Sequence, residues 1–164
     1  MNLKPIKGTI SKSFSHKAFV RWGIEIELDT IELEGFQFSP LLVLDDLQLE
    51  ITVNDELESV SDFNELESKR FDFKNENQNY FGGLFCTHSF FVETPLGSQI
   101  EIEQTYDCAI KVESIFFEEL KGNLITAKLE FELDFSLFYV AELPIDVKNY
   151  PAFKVSLEAT MSFE

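Results

Sequence analysis

Apolar and polar residues alternate along most of this chain with a period of two, the pattern of half-buried β-strands. Phe14, His16, Ala18, Val20, Trp22, Ile24, Ile26 and Leu28 occupy even positions, with Lys17, Arg21, Glu25, Glu27 and Asp29 between them. The pattern predicts one very long strand here, or two joined by a bulge. Parity then changes: Ile31 and Leu33 are odd, Phe36 and Phe38 even, with Gly35 between. Leu47, Leu49, Ile51 and Val53 alternate with Gln48, Glu50 and Thr52. From Asn54 to Lys69 the apolar residues Leu57, Val60, Phe63 and Leu66 are three apart, which predicts one short helix capped by Ser59 or Ser61. Asn75–Asn79 reads as a polar loop and Gly82-Gly83 as a turn.

The second half alternates more clearly. Strands are predicted over Leu84–Thr94, Gln99–Glu113 and Ile115–Leu120, with a turn at Pro95–Ser98. Lys121-Gly122-Asn123 is a hairpin signal. Ile125 to Leu137 and Phe153 to Phe163 alternate again, connected across Glu142–Pro151. No segment offers the crossover helices of a parallel sheet. The expectation is all-β: residues 1–164 as a single antiparallel β-sandwich or barrel of about eight strands, with at most one or two short helices.

Composition agrees with a folded globular chain: 164 residues, 45% hydrophobic and 26% charged. Charge changes the picture. Thirty acidic residues against 13 basic give a net charge of −17. Such a chain repels phosphates, so nucleic acid is not an expected partner. Lys4 and Lys7 imitate the basic start of a signal peptide, but His16, Lys17 and Arg21 interrupt the region where its apolar run should lie. No stretch reaches the roughly 18 apolar residues of a membrane helix. A cytoplasmic protein without membrane contact is expected.

The acids fall in rows. Glu25, Glu27 and Asp29 share one strand face, as do Glu101, Glu103 and Asp107, and Glu130, Glu132 and Asp134. Each row is either a solvated face or a docking surface for a basic partner. No Asp-x-Asp-x-Asp-Gly calcium loop occurs. Phenylalanine is abundant, with 18 residues. Phe131 and Phe135 sit on core faces, whereas Phe19, Phe85, Phe91 and Phe138 lie on otherwise polar sides. Those are covered by another element or form an apolar interface.

Matching the inward faces of the hairpin around Gly97 places Cys86 opposite Cys108 and His88 opposite Tyr106. Buried free thiols, a cross-strand disulfide, or a zinc site of Cys86, His88 and Cys108 would each fit that register. His16 and His88 are the only histidines, and there is no Gly-x-Ser-x-Gly elbow or Gly-rich phosphate loop. Asp45-Asp46 reads as a turn rather than a pair of catalytic acids. No cofactor is implied, and binding is expected rather than catalysis. The leading expectation is an acidic inhibitor or immunity-type protein that neutralises a basic protein, such as a toxin acting on nucleic acid. Its contact residues would come from the three acidic rows with Phe85, Phe91 and Phe138. The alternatives are a β-sandwich assembly subunit, homodimeric through its Phe faces, and a barrel that carries an apolar small molecule.

Overall fold

The computed structural model describes residues 3–14, 19–34, 41–55, 60–73, 79–138 and 152–164. Nine strands occur among them: β1 (Pro5–Phe14), β2 (Val20–Leu28), β3 (Ile31–Glu34), β4 (Leu41–Asp55), β5 (Arg70–Asp72), β6 (Asn79–Glu93), β7 (Gln99–Lys121), β8 (Leu124–Phe138) and β9 (Phe153–Phe163). The predicted helix is a single 3₁₀ turn, Phe63–Leu66. Residues 35–40, 74–78 and 139–151, where a parity change, a loop and a connection are expected, lie outside the described residues.

The strands form one curled sheet whose two ends meet. Its order is β2-β1-β9-β8-β7-β6-β4-β3, and β2 also pairs with β4. The ladder therefore returns to its starting strand, as in a barrel. β3 continues the track of β2 along β4, and β5 continues that of β6 along β7. The sheet is mixed, not purely antiparallel as expected, because β1 and β9 run parallel.

That parallel seam is short, with Thr9 opposite Ser162 and Ile10 opposite Phe163. It depends on close approach at Gly8. A Cβ built there would lie 2.7 Å from Met161 Cγ and 3.1 Å from the Thr160 carbonyl oxygen. A Gly8→Ala variant should lose about 1–3 kcal/mol by overpacking, despite the better strand propensity of alanine. Urea denaturation measures it, and an unchanged or raised midpoint would deny the close seam.

Of the long strand, or two joined by a bulge, expected from Phe14 to Leu28, Val20–Leu28 is β2, whereas Phe14 ends β1, which pairs with β2 antiparallel, Phe14 opposite Val20 and Ile10 opposite Ile24. Gly8 and Ile10 on β1 and Trp22, Ile24, Ile26 and Leu28 on β2 are buried, whereas Phe14 is exposed; residues 15–18, with His16 and Ala18, lie outside the described residues. Gly82-Gly83 is not a turn but lies inside β6. Asp45-Asp46 is not a turn either. It is a bulge within β4, with Asp46 at φ 50°, where the ladder to β6 shifts register. The hairpin at Gly122-Asn123 is as predicted, and Gly122 supplies the positive φ (63°) that its two-residue loop needs. The segments 99–113 and 115–120 are one strand, β7. A bulge between Val112 and Ser114 accounts for their change of parity.

Inward residues fill the interior. Trp22, Phe71, Phe117 and Phe131 are among the largest fully buried side chains, packed with Ile24, Ile26, Leu49, Ile51, Leu129 and Leu157. Segment 60–72 closes one end. Val60, Phe63, Leu66 and Phe71 are buried there, Phe63 stacks on Phe163 at 4.6 Å, and Phe71 meets Phe117 edge-on at 5.9 Å. The Phe117 amide donates to the Lys69 carbonyl (2.8 Å), and Lys12 Nζ donates to the Ser61 carbonyl. The buried Trp22 Nε1 has no acceptor among the described residues. The fold tolerates this unpaired donor, which costs about 1–3 kcal/mol. Burying roughly 200 Å² of indole contributes about 5 kcal/mol.

Candidate interaction face

The outer surface of β1, β2, β4, β6 and β7 is read directly from the strand register. One cross-strand row runs Lys7, Glu27, Gln48, Phe85, Asp107. The next runs Thr9, Glu25, Glu50, Gly83. A third runs Ser11, Gly23, Thr52, Phe81. Glu25 and Glu50 thus stand directly opposite each other, an arrangement that opposes strand pairing. Among the described residues no ion pair reaches Glu25, Glu50 or Asp107. Phe81 rises from this surface 81% exposed, and Phe85 is half-buried.

Two shallow depressions indent the face. One, of about 300 Å³, is lined by Lys7, Thr9, Glu25, Glu27, Asp46, Leu47 and Gln48. The other, of about 290 Å³, lies between Phe81 and Phe85 over Gly82 and Gly83, with Glu50, Thr52 and Asp107 around it. The Glu50 carboxyl is pushed above its ordinary value of 4.5, first by partial burial, then by the charges of Glu25 and Asp107.

This shift has a testable sign. The folded protein holds the Glu50 proton to higher pH than the unfolded chain does. Ionised Glu50 therefore opposes folding above the ordinary carboxylate range, and the opposition fades as pH falls below it. Glu50 is exposed, so solvent screens the repulsion, and Glu50→Gln should raise stability at pH 7 by at most about 0.5 kcal/mol, or roughly 1–2 °C in Tm. The gain should vanish below about pH 4. Thermal melts of both proteins across pH 3–8 measure it, and a destabilised variant at pH 7 would contradict the shift.

The acids of β8 stand differently. Glu132 lies between Lys111 on β7 and Lys154 on β9. Glu130 lies between Ser114 and Ser156 and accepts a 2.6 Å hydrogen bond from Ser156 Oγ. Lys128 pairs with Glu118 at 2.8 Å, and Lys154 with Glu113 at 3.0 Å. Both ammonium groups are held above their ordinary range by those hydrogen-bonded carboxylates. Acids and lysines therefore alternate across β7–β9, whereas Lys7 is the one cation in the three rows above.

The remaining sequence-predicted residues are placed as follows. Glu25, Glu27, Glu101 and Asp107 are exposed, and Glu130, Glu132 and Asp134 are half-buried. Asp29 lies just beyond β2, where its amide donates to the Lys4 carbonyl (2.8 Å) and its carboxylate accepts from the Thr30 amide (2.9 Å). Glu101 is opposite Phe91, far along the β6–β7 ladder from Asp107. The side chains of Glu103, Phe91, Phe138 and His88 lie outside the described set. The structure thus brings the row on β2 and the end of the row on β7 to one face, with Glu50 on β4 between them and β6 separating β4 from β7. Glu50, Phe81 and Gly83 are additions to the sequence-predicted residues.

The cysteine register differs from expectation by two residues. Cys86 is opposite Tyr106, and Cys108 is opposite Leu84. The cause is the turn: Thr94 N donates to Ser98 O, Gly97 N donates to Thr94 O, and Glu93 faces Gln99. Both cysteines are buried thiols with no disulfide between them, and Cys108 Sγ donates to the Asp134 carbonyl at 3.2 Å. Burial pushes each thiol up to about 12, each raised further by a neighbour, Cys108 for Cys86 and Asp134 for Cys108. They are neutral, weakly nucleophilic core residues at pH 7. The described residues contain no group of three or more His, Cys, Asp or Glu side chains placed to hold a metal. No described helix is long and apolar enough to cross a membrane.

No protein family, curated protein or solved structure matches the chain.

Proposed function

We propose that this chain is an acidic binding protein that captures a basic protein partner on the outer face of β1, β2, β4, β6 and β7. The observation that carries the reading is the Glu25–Glu50–Asp107 cluster, which keeps like charges together with no ion pair among the described residues and sets two phenylalanines beside them. A fold gains nothing from that arrangement by itself. A basic partner would supply the missing countercharge, steer to the face over long range, and cover Phe81 and Phe85 as anchoring contacts. The inhibitor or immunity-type role fits this chemistry: a protein that acts on nucleic acid presents a basic surface, and an acidic face would occlude it. The side chains packed inside the barrel weigh against the carrier alternative.

The test is affinity capture from the native host at about 50 and 300 mM salt. One basic protein should be recovered in near-equal amount at low salt and be depleted at high salt. Recovery of this chain alone, as a stable oligomer, would transfer the proposal to self-assembly through its Phe residues.

A further inference from the structure

We infer that the depression over Gly83 is a seat for a single arginine side chain of the partner, its guanidinium stacked on an aromatic ring and hydrogen-bonded to Glu50 and Asp107. This rests on the reading of the acidic face as a docking surface and specifies the group that surface takes.

The seat follows from strand geometry. Phe81, Gly83 and Phe85 project from the same side of β6, because alternate residues share a face. Phe81 and Phe85 are four positions apart, about 13 Å along an extended chain. Between them stands Gly83, itself buried, with the Phe85 ring leaning over it, and the open space lies between that ring and Phe81. Glu50 lies directly across from Gly83 on β4, and Asp107 across from Phe85 on β7. The space is therefore bounded by two rings along β6 and by a carboxylate on either side, and its volume is about 290 Å³. Glycine makes room for the Phe85 ring and the Asp107 carboxylate to form its walls. A Cβ on Gly83 would stand 3.2 Å from Asp107 Oδ1 and 3.4 Å from two atoms of the Phe85 ring.

The walls select the cation. Aromatic faces attract positive charge, and carboxylates on two sides attract a group that donates in more than one direction within a plane. A guanidinium does both and is more weakly hydrated than an ammonium, so it gives up less on entering a half-apolar site. Lysine satisfies the charge but neither stacks nor forks. No cation of the chain takes this position among the described residues: the nearest arginine on the face, Arg21, donates from Nε to Asn54 Oδ1 at 2.9 Å.

The experiment titrates the isotope-labelled protein with a tetra-arginine and with a tetra-lysine peptide at about 50 mM salt, following backbone amide shifts. The arginine peptide should bind about five- to tenfold more tightly, the scale of a partly exposed cation–π contact. Its shifts should centre on residues 50–52, 81–85 and 107. Phe81→Ala and Gly83→Ala should each bring the ratio close to one, with amide spectra confirming that each variant is folded. Phe81 is exposed, so its variant serves even where the Gly83 substitution disturbs the sheet. Equal affinity for the two peptides, or an arginine preference that survives in a folded Phe81→Ala protein, overturns the arginine seat and leaves the acidic docking face standing. Failure of both peptides to bind overturns the seat and the docking face together.

Discussion

Phe131→Ala should cost about 3–5 kcal/mol and lower Tm by roughly 10 °C. Phe131 is 1% exposed and sits on β8 between Val112 and Val155, at the middle of the packed interior. The neighbouring strands are fixed by their ladders, so the walls cannot collapse onto the cavity, and its cost adds to the lost transfer energy. Phe81→Ala is the matched control. That ring is 81% exposed, and its removal should change stability by less than about 1 kcal/mol. Thermal and urea denaturation of the pair separates phenylalanines that hold the barrel from one held out to solvent. Equal losses would mean that Phe81 is covered by part of the chain and unavailable to a partner.

Reversing Glu25, Glu50 and Asp107 together to lysine should weaken capture of the basic partner at least about a hundredfold. Close charge pairs across protein interfaces couple by about 1.5 kcal/mol or more, so three reversals exceed the roughly 2.7 kcal/mol that a hundredfold loss represents. The triple variant keeps like charge opposite like charge between β2 and β4, so its folding stability should stay near that of the parent. Glu130→Lys with Glu132→Lys should alter affinity less than about threefold, because those acids already lie among Lys111, Lys154, Ser114 and Ser156. Binding isotherms with the purified partner decide between the two faces. A larger loss from the β8 pair would move the interface to the opposite side of the barrel.

Much of the fold is legible in the alternation of residues, and what is not has identifiable causes. The β7–β8 hairpin is legible because Gly122 interrupts two long alternating runs. The β1–β2 hairpin is hidden because β1 alternates poorly: Lys7, Gly8, Thr9, Ser11, Lys12 and Ser13 leave Ile10 as its one fully buried large side chain, so the visible run starts only at Phe14. Gly82-Gly83 reads as a turn, since glycine pairs usually break strands, yet here both lie within β6, Gly83 on its outer side and Gly82 facing Ile110 in the core. That misreading also conceals Phe81, which gains meaning only when Phe81, Gly83 and Phe85 are placed on one continuous strand. The parallel seam between β1 and β9 joins segments from opposite ends of the sequence, and no local pattern encodes it. The candidate site is composite for the same reason. A row of acids along one strand is visible in sequence, but the cluster that matters takes Glu25 from β2, Glu50 from β4 and Asp107 from β7. Sequence spacing cannot rank these above the β8 acids, because what sets the two groups apart is the lysines on adjacent strands.

The most direct test of the docking face is zero-length carbodiimide cross-linking of the captured complex, which joins only carboxylates in contact with lysines, followed by mass spectrometric mapping. Cross-links are expected from Glu25 and Glu27, which share the face with the arginine seat, to lysines of a basic protein, and none from Glu130, Glu132 or Glu158. Cross-links confined to the β8–β9 acids, or no basic protein held at any salt concentration, would contradict it.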